Sequence, residues 1–109
     1  MVLARVIAGE AVGCPMEAKL AVAHTWQNRI EAGIEGGWFG DRMPTDMDIF
    51  IAENYRVWPD PTDGAMYMIS PADRAKMPWL SDAKAIMTGE WVCRDGRKLQ
   101  SWRMRRKGE

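Results

Sequence analysis

The chain has 109 residues, 47% of them hydrophobic and 28% charged, which amounts to one compact domain with a modest core. These proportions exclude two-domain architectures, (β/α)₈ barrels and disordered regulators. The 15 Lys and Arg balance 15 Asp and Glu, yet residues 94–109 carry seven cations against Asp95 and Glu109, so the C-terminal end is basic and the rest acidic. Leu3, Val6, Ile7 and Ala11 recur at helical spacing and predict a short amphipathic helix over 2–11. Arg5 and Glu10 interrupt its apolar run, unlike a secretory segment, so no export signal is visible and the chain is expected to be cytoplasmic on synthesis. No stretch reaches the roughly 20 apolar residues of a membrane span.

Gly13 ends the first helix, and Pro15 suits the first turn of a second, over 15–31. Ala18, Ala21, Val22, Trp26 and Ile30 form its apolar stripe, and Glu17 favours its N-terminal dipole. Gly33, Gly36, Gly37 and Gly40 mark a flexible connection. A third helix, 46–54, follows, burying Met47, Phe50, Ile51 and Tyr55. Two prolines and a glycine make 58–64 irregular. Ala65 to Ile69 reads as a strand, 70–80 as a loop with Pro71 and Pro78, and 81–87 as a helical turn. Trp91 to Arg94 and Arg97 to Trp102 flank Asp95-Gly96, a favoured tight-turn dipeptide, and predict a hairpin. No repeat or low-complexity tract is present. The pattern is α+β, helices first and a small antiparallel sheet last.

One His and two Cys do not supply a zinc site, no acidic cluster has calcium-loop spacing, and the glycines follow no phosphate-loop pattern. No cofactor or metal is expected. Cys14 stands near a helix N-terminus, where thiol pKa falls. Its one imidazole, His24, lies ten residues along the same helix, about 15 Å away, so a Cys/His nucleophile is physically implausible. Cys14 and Cys93 pair only if the fold brings them together. Glu10 is a better candidate. It lies between Gly9 and Ala11, small residues that let a bulky ligand approach, and partial burial beside Val6 and Ile7 would raise its pKa as a general acid requires.

The run Leu3-Ala4-Arg5-Val6-Ile7-Ala8-Gly9-Glu10-Ala11-Val12-Gly13 resembles the L-A-R-x-I-x-x-E-A-R-G opening of the spore-cortex-lytic (SleB/CwlJ-like) cell wall hydrolases. Further matches follow in order. Ala21-Val22-Ala23 and Asn28-Arg29-Ile30 resemble the family's second helix, Asp60-Pro61-Thr62-Asp63-Gly64-Ala65 its D-P-T-G-G-A turn, and Ser70-Pro71 its N-P. Pro78-Trp79 and the strand around Trp91 fit its C-terminal part, so the resemblance spans residues 2–94.

The resemblance implies a lysozyme-like domain, residues 1–102, acting on peptidoglycan glycan strands, with a basic tail at 103–109. Glu10 would be the catalytic acid, protonating the β-1,4 link between N-acetylmuramic acid and N-acetylglucosamine. With one carboxylate, closure of the muramoyl 6-hydroxyl onto C1 is the favoured route, giving a 1,6-anhydro product. Hydrolysis ordinarily takes two carboxylates, and Asp60 and Asp63 are then the nearest candidates, although D-P-T reads better as a turn. Asn28, Tyr67 and Trp79 are the expected substrate-binding residues. Asn28 would orient Glu10, bond an acetamido group or cap its helix, Tyr67 would line the groove, and Trp79 would stack on sugar faces.

The departures from the motif are Val12 for its Arg, Met68 and Ile69 for strand aromatics, and a short middle lacking Q-P-x-Q-F. They suit a divergent, phage-encoded endolysin, or a catalytically inactive wall-binding or virion-associated protein. An open groove with Glu10 at its floor, facing Asn28 or Tyr67, favours the enzyme, and one filled by Trp38, Phe39 or Met68 the binder. The basic tail reads as a solvated terminus or as an electrostatic contact with anionic wall or membrane. A specific nucleic-acid partner is not expected, and the state expected is a monomer.

Overall fold

A computed structural model describes residues 2–34, 36–38 and 42–109; Phe39 and Gly40 lie outside them. Three helices come first: α1 (Val2–Glu10), α2 (Met16–Glu31) and α3 (Asp46–Asn54), the last running into a 3₁₀ turn, Tyr55–Val57. Then follow β1 (Tyr67–Ile69), a four-residue α4 (Pro71–Arg74), β2 (Ala85–Val92) and β3 (Lys98–Met104). The strands form one antiparallel sheet in the order β1-β3-β2. The architecture is α+β, as the sequence pattern predicts.

Helix α1 is almost wholly apolar inward: Leu3, Ala4, Val6, Ile7 and Ala8 are buried. It ends because Gly13 takes a left-handed conformation, φ +69°, that other residues adopt only with strain. Pro15 then stands just before α2, its carbonyl accepting from the amides of Ala18 (3.0 Å) and Lys19 (3.2 Å). Ala18, Ala21 and Ala23 are fully buried on α2, and such small side chains let other elements pack close to the helix axis.

Helix α3 departs from expectation. Its inner stripe is Asp48, Ile51, Ala52 and Tyr55, while Met47 and Phe50, predicted to be buried, are 45% and 47% exposed. The i, i+3, i+4 stripe is turned by one residue because a carboxylate takes a core position. Asp48 is paired with Lys19 of α2 and forms a reciprocal capping box with Thr45. Burial pushes its carboxyl up, but the bonds from Lys19 and Thr45 outweigh that and hold it below the ordinary value.

Two predicted boundaries move. The expected loop over 70–80 contains α4, capped by the Ser70 hydroxyl accepting from the Asp73 amide at 3.2 Å. The expected helical turn over 81–87 is a turn only as far as the Ser81 carbonyl reaches, to the amides of Lys84 and Ala85; β2 starts at Ala85. The hairpin itself is present, with Val92 opposite Lys98 and the turn around Asp95-Gly96. β2 slips register between Met87 and Gly89. A Cβ on Gly89 would stand 2.5 Å from the Trp91 ring, so glycine there is a packing requirement.

The central strand β3 is buried from Leu99 to Arg103, with Leu99 in the main helical core and Trp102 in a smaller cluster with Leu80 and Ala85. Cys14 and Cys93 form a disulfide, Cα–Cα 4.1 Å, and the Arg94 amide donates to the Gly13 carbonyl at 2.8 Å. The elbow between α1 and α2 is thereby fastened to the hairpin. The expected tail is partly strand: Arg103 and Met104 belong to β3. Arg103 makes a two-pronged ion pair with Glu109, both bonds 2.6 Å, and a weaker contact with Asp63. The Arg103 guanidinium and the Arg106 amide hold the Glu109 carboxyl down to about 2.

Candidate active site

Glu10 is the last residue of α1, half-buried, with Ala11 fully buried beside it. It lines a cavity of about 110 Å³ together with Gly9, Met68, Ile69, Ser70, Asp73, Arg97 and Leu99. A larger cavity of about 320 Å³ shares Met68 and Ile69 with it and continues to Tyr67, Trp79, Met77, Arg29 and Trp38. Met68 and Ile69 of β1 therefore line two neighbouring cavities, one holding the Glu10 carboxyl and the other walled by aromatic rings.

The aromatic end is organised by a cation. The Arg29 guanidinium lies 5.5 Å from the ring centres of both Trp38 and Tyr67. It also donates to the Met66 carbonyl at 2.9 Å and the Gly36 carbonyl at 3.1 Å. Tyr67 meets Trp79 edge-on at 5.2 Å, and Trp79 remains 47% exposed. An exposed ring beside a groove can cover the apolar face of a sugar.

Asn28 stands elsewhere. Its amide nitrogen donates to Asp60 Oδ2 (3.0 Å) and to the Ala65 carbonyl (3.1 Å), and it lines neither cavity. It pins the Asp60–Ala65 turn to the end of α2. Asp60 is the hub of that turn, accepting also from Thr62 and the Gly64 amide. Burial pushes the Asp60 carboxyl up, but bonds from the Thr62 hydroxyl, Asn28 and the two amides bring it below 3.8. Asp63 pairs with Arg103 and Arg106. Neither Asp60 nor Asp63 faces the Glu10 cavity; the carboxylate that shares it is Asp73.

Tyr67 and Trp79 thus line one cavity and Glu10 its neighbour, neither Asn28 nor Tyr67 lines the cavity of Glu10, and Arg29, Asp73 and Arg97 are lining residues that sequence reasoning does not single out. Arg29 stands inside a quoted motif, but the others carry no local signal. Trp38 and Met68, which could have filled the groove, form its walls. The disulfide removes Cys14 from nucleophilic chemistry, and His24 is occupied with the Tyr55 carbonyl at 3.1 Å. Among the described residues no group of three His, Cys, Asp or Glu could hold a metal ion, and no helix is long and apolar enough to cross a membrane.

Two solved structures share this fold. The catalytic domain of the Bacillus cereus SleB protein superposes with a TM-score of 0.69 at 20% identity, over 92% of this chain and 86% of that one. The catalytic domain of the germination-specific lytic transglycosylase SleB from Bacillus anthracis gives 0.66 at 19%, over 92% and 90%. No protein-family model matches the sequence, and no curated protein sequence does. The fold is that of the SleB catalytic domain, a lysozyme-like α+β domain.

Proposed function

We propose that this chain degrades peptidoglycan, cleaving the β-1,4 bond between N-acetylmuramic acid and N-acetylglucosamine as a lytic transglycosylase. The observation that carries the reading is the position of Glu10. It lines a cavity that shares Met68 and Ile69 with an aromatic-walled neighbour, on a fold shared with SleB catalytic domains. Glu10 protonates the glycosidic oxygen as the bond to the muramoyl C1 breaks. It then takes the proton of the muramoyl 6-hydroxyl as that oxygen closes onto C1, and the 1,6-anhydro product leaves. Tyr67 and Trp79 hold the sugars against β1, and Arg29 fixes the aromatic wall without touching the reacting atoms. Asn28 acts at a distance, by holding the turn that precedes β1.

Asp73 favours a second route. A carboxylate in the same cavity could activate water and turn the reaction to hydrolysis. Mass analysis of the products separates the two: anhydro-muropeptides support transglycosylation, and reducing-end muropeptides sensitive to Asp73→Asn support hydrolysis. Absence of release with retained co-sedimentation would instead indicate a wall-binding protein. The disulfide supports a working form in an oxidising space, as the wall side of a membrane is. Arg105 and Lys107, exposed at the C-terminal end, favour adsorption to the anionic wall.

A further inference from the structure

We propose that Arg97 is a specificity-determining residue that binds a carboxylate on the muramoyl side of the substrate; this rests on the peptidoglycan reading above. Arg97 opens the segment after the hairpin turn, yet its side chain returns to α1, where Nη2 donates to the Val12 carbonyl at 3.2 Å across 85 residues of sequence. That carbonyl is two residues past Glu10, and Arg97 lines the same small cavity as Glu10. The disulfide and the Arg94–Gly13 backbone bond hold the hairpin against the α1–α2 elbow, so the reach is built into the fold.

The guanidinium is under-used by the protein. Its five N–H donors serve, through Nη2, the Val12 carbonyl and a long contact to Cys14 Sγ; Nε is buried without a hydrogen-bond partner, and Nη1 has none among the described residues. A partly buried cation with a dry, unpaired donor is costly to keep for stability alone. It is well prepared for an anion, because the planar fork matches a carboxylate.

Size assigns the ligand. The cavity of about 110 Å³ suits a short carboxyl-bearing side group, whereas the neighbouring one of about 320 Å³, walled by aromatics, suits a sugar ring. In peptidoglycan the muramoyl sugar is the one that carries such a group, on its 3-oxygen. The carboxylate is either that of the lactyl ether, where the peptide stem has been removed, or one on the stem itself. Two carboxyls of the same cavity, Asp73 and Glu10, oppose an anion; Asp73 is exposed and screened by water, and the test below removes the Glu10 charge. Binding by Arg97 would also orient the muramoyl C1 and 6-hydroxyl toward Glu10, which sets which of the two alternating linkages is cut.

The test measures binding of the intact chain carrying Glu10→Gln, with and without Arg97→Gln, to five soluble glycans. These are strands with stems, strands stripped of stems by an amidase, each strand with its carboxyls converted to neutral amides, and chitin oligomers. Arg97→Gln should weaken binding of carboxylate-bearing strands about tenfold to a hundredfold and leave amidated strands and chitin oligomers unchanged. On the Glu10 wild-type background the loss should appear in KM more than in kcat, and Arg97→Lys should restore part of it. If the preference persists on stripped strands the lactyl carboxylate is the ligand; if it vanishes there, the stem is. Equal weakening of all five glycans, or no weakening, overturns the proposal. Should Arg97→Gln not fold, the unsubstituted Arg97 protein decides alone, since failure to prefer native over amidated strands by at least about tenfold overturns it. Strands that are cut without that preference sink only the role of Arg97. Strands neither bound nor cut sink the peptidoglycan reading with it.

Discussion

The helical part of this molecule and the part built on the sheet are held together by different means. α1, α2 and α3 share one apolar core, in which Ile7, Val22 and Ile51 are fully buried and the alanines of α2 allow close packing. The sheet part relies on fastenings between distant residues. These are the Cys14–Cys93 disulfide, the Asp60 turn pinned by Asn28, Arg74 over the Trp102 ring at 3.9 Å, and the Arg103–Glu109 pair. The candidate site lies on the seam, with Glu10 supplied by the helices and Asp73, Arg97 and β1 by the other part. What keeps the two parts in register therefore also sets the geometry of the site.

Breaking the disulfide should have the largest effect on stability. Closing a loop over a separation of 79 residues restricts the unfolded chain, so Cys93→Ser should cost on the order of 4 kcal/mol in a urea melt. Activity should fall with it, since the hairpin carrying Arg97 is no longer tied to α1, and a reducing agent should reproduce the loss in the unmutated chain. The turn comes next. Asn28→Ala leaves the Asp60 carboxylate and the Ala65 carbonyl short of a donor and should cost about 1–3 kcal/mol. Its effect on cleavage should track stability, whereas a substrate ligand would lose binding without losing stability.

The same contrast governs what the sequence discloses. α1 and α2 are legible because their apolar residues recur at 3.6, and Glu10 because a motif surrounds it. Met47 and Phe50 mislead because Asp48 is buried only by virtue of Lys19, a partner 29 residues away that no local pattern reveals. The start of β2 is missed because Ser81–Lys84 does form a turn before the strand begins. Arg97 is invisible for a stronger reason. Its partner at Val12 exists only once the disulfide and the hairpin are in place, and in the sequence it is one more cation of a basic stretch.

Smaller effects sharpen the comparison. Trp79→Ala should shift stability by less than about 1 kcal/mol, because the ring is 47% exposed, yet raise KM roughly fivefold to tenfold through lost sugar stacking. Acid should act through carboxylates depressed in the folded state. Glu109 falls from 4.5 to about 2, and Asp48 and Asp60 lie below 3.8. Their contribution is present above those ordinary values and is lost as pH falls through the folded ones, so melts should weaken progressively below about pH 4.5. Glu109→Gln should remove only part of that slope, the smallest change of the set.

The most direct test of the central claim is digestion of purified peptidoglycan by the unmutated chain and by Glu10→Gln, with the released muropeptides weighed by mass spectrometry. The account predicts anhydro-muropeptides from the first, and from Glu10→Gln a rate lower by about a hundredfold to ten-thousandfold at unchanged stability. Release by Glu10→Gln at the rate of the unmutated chain would contradict it.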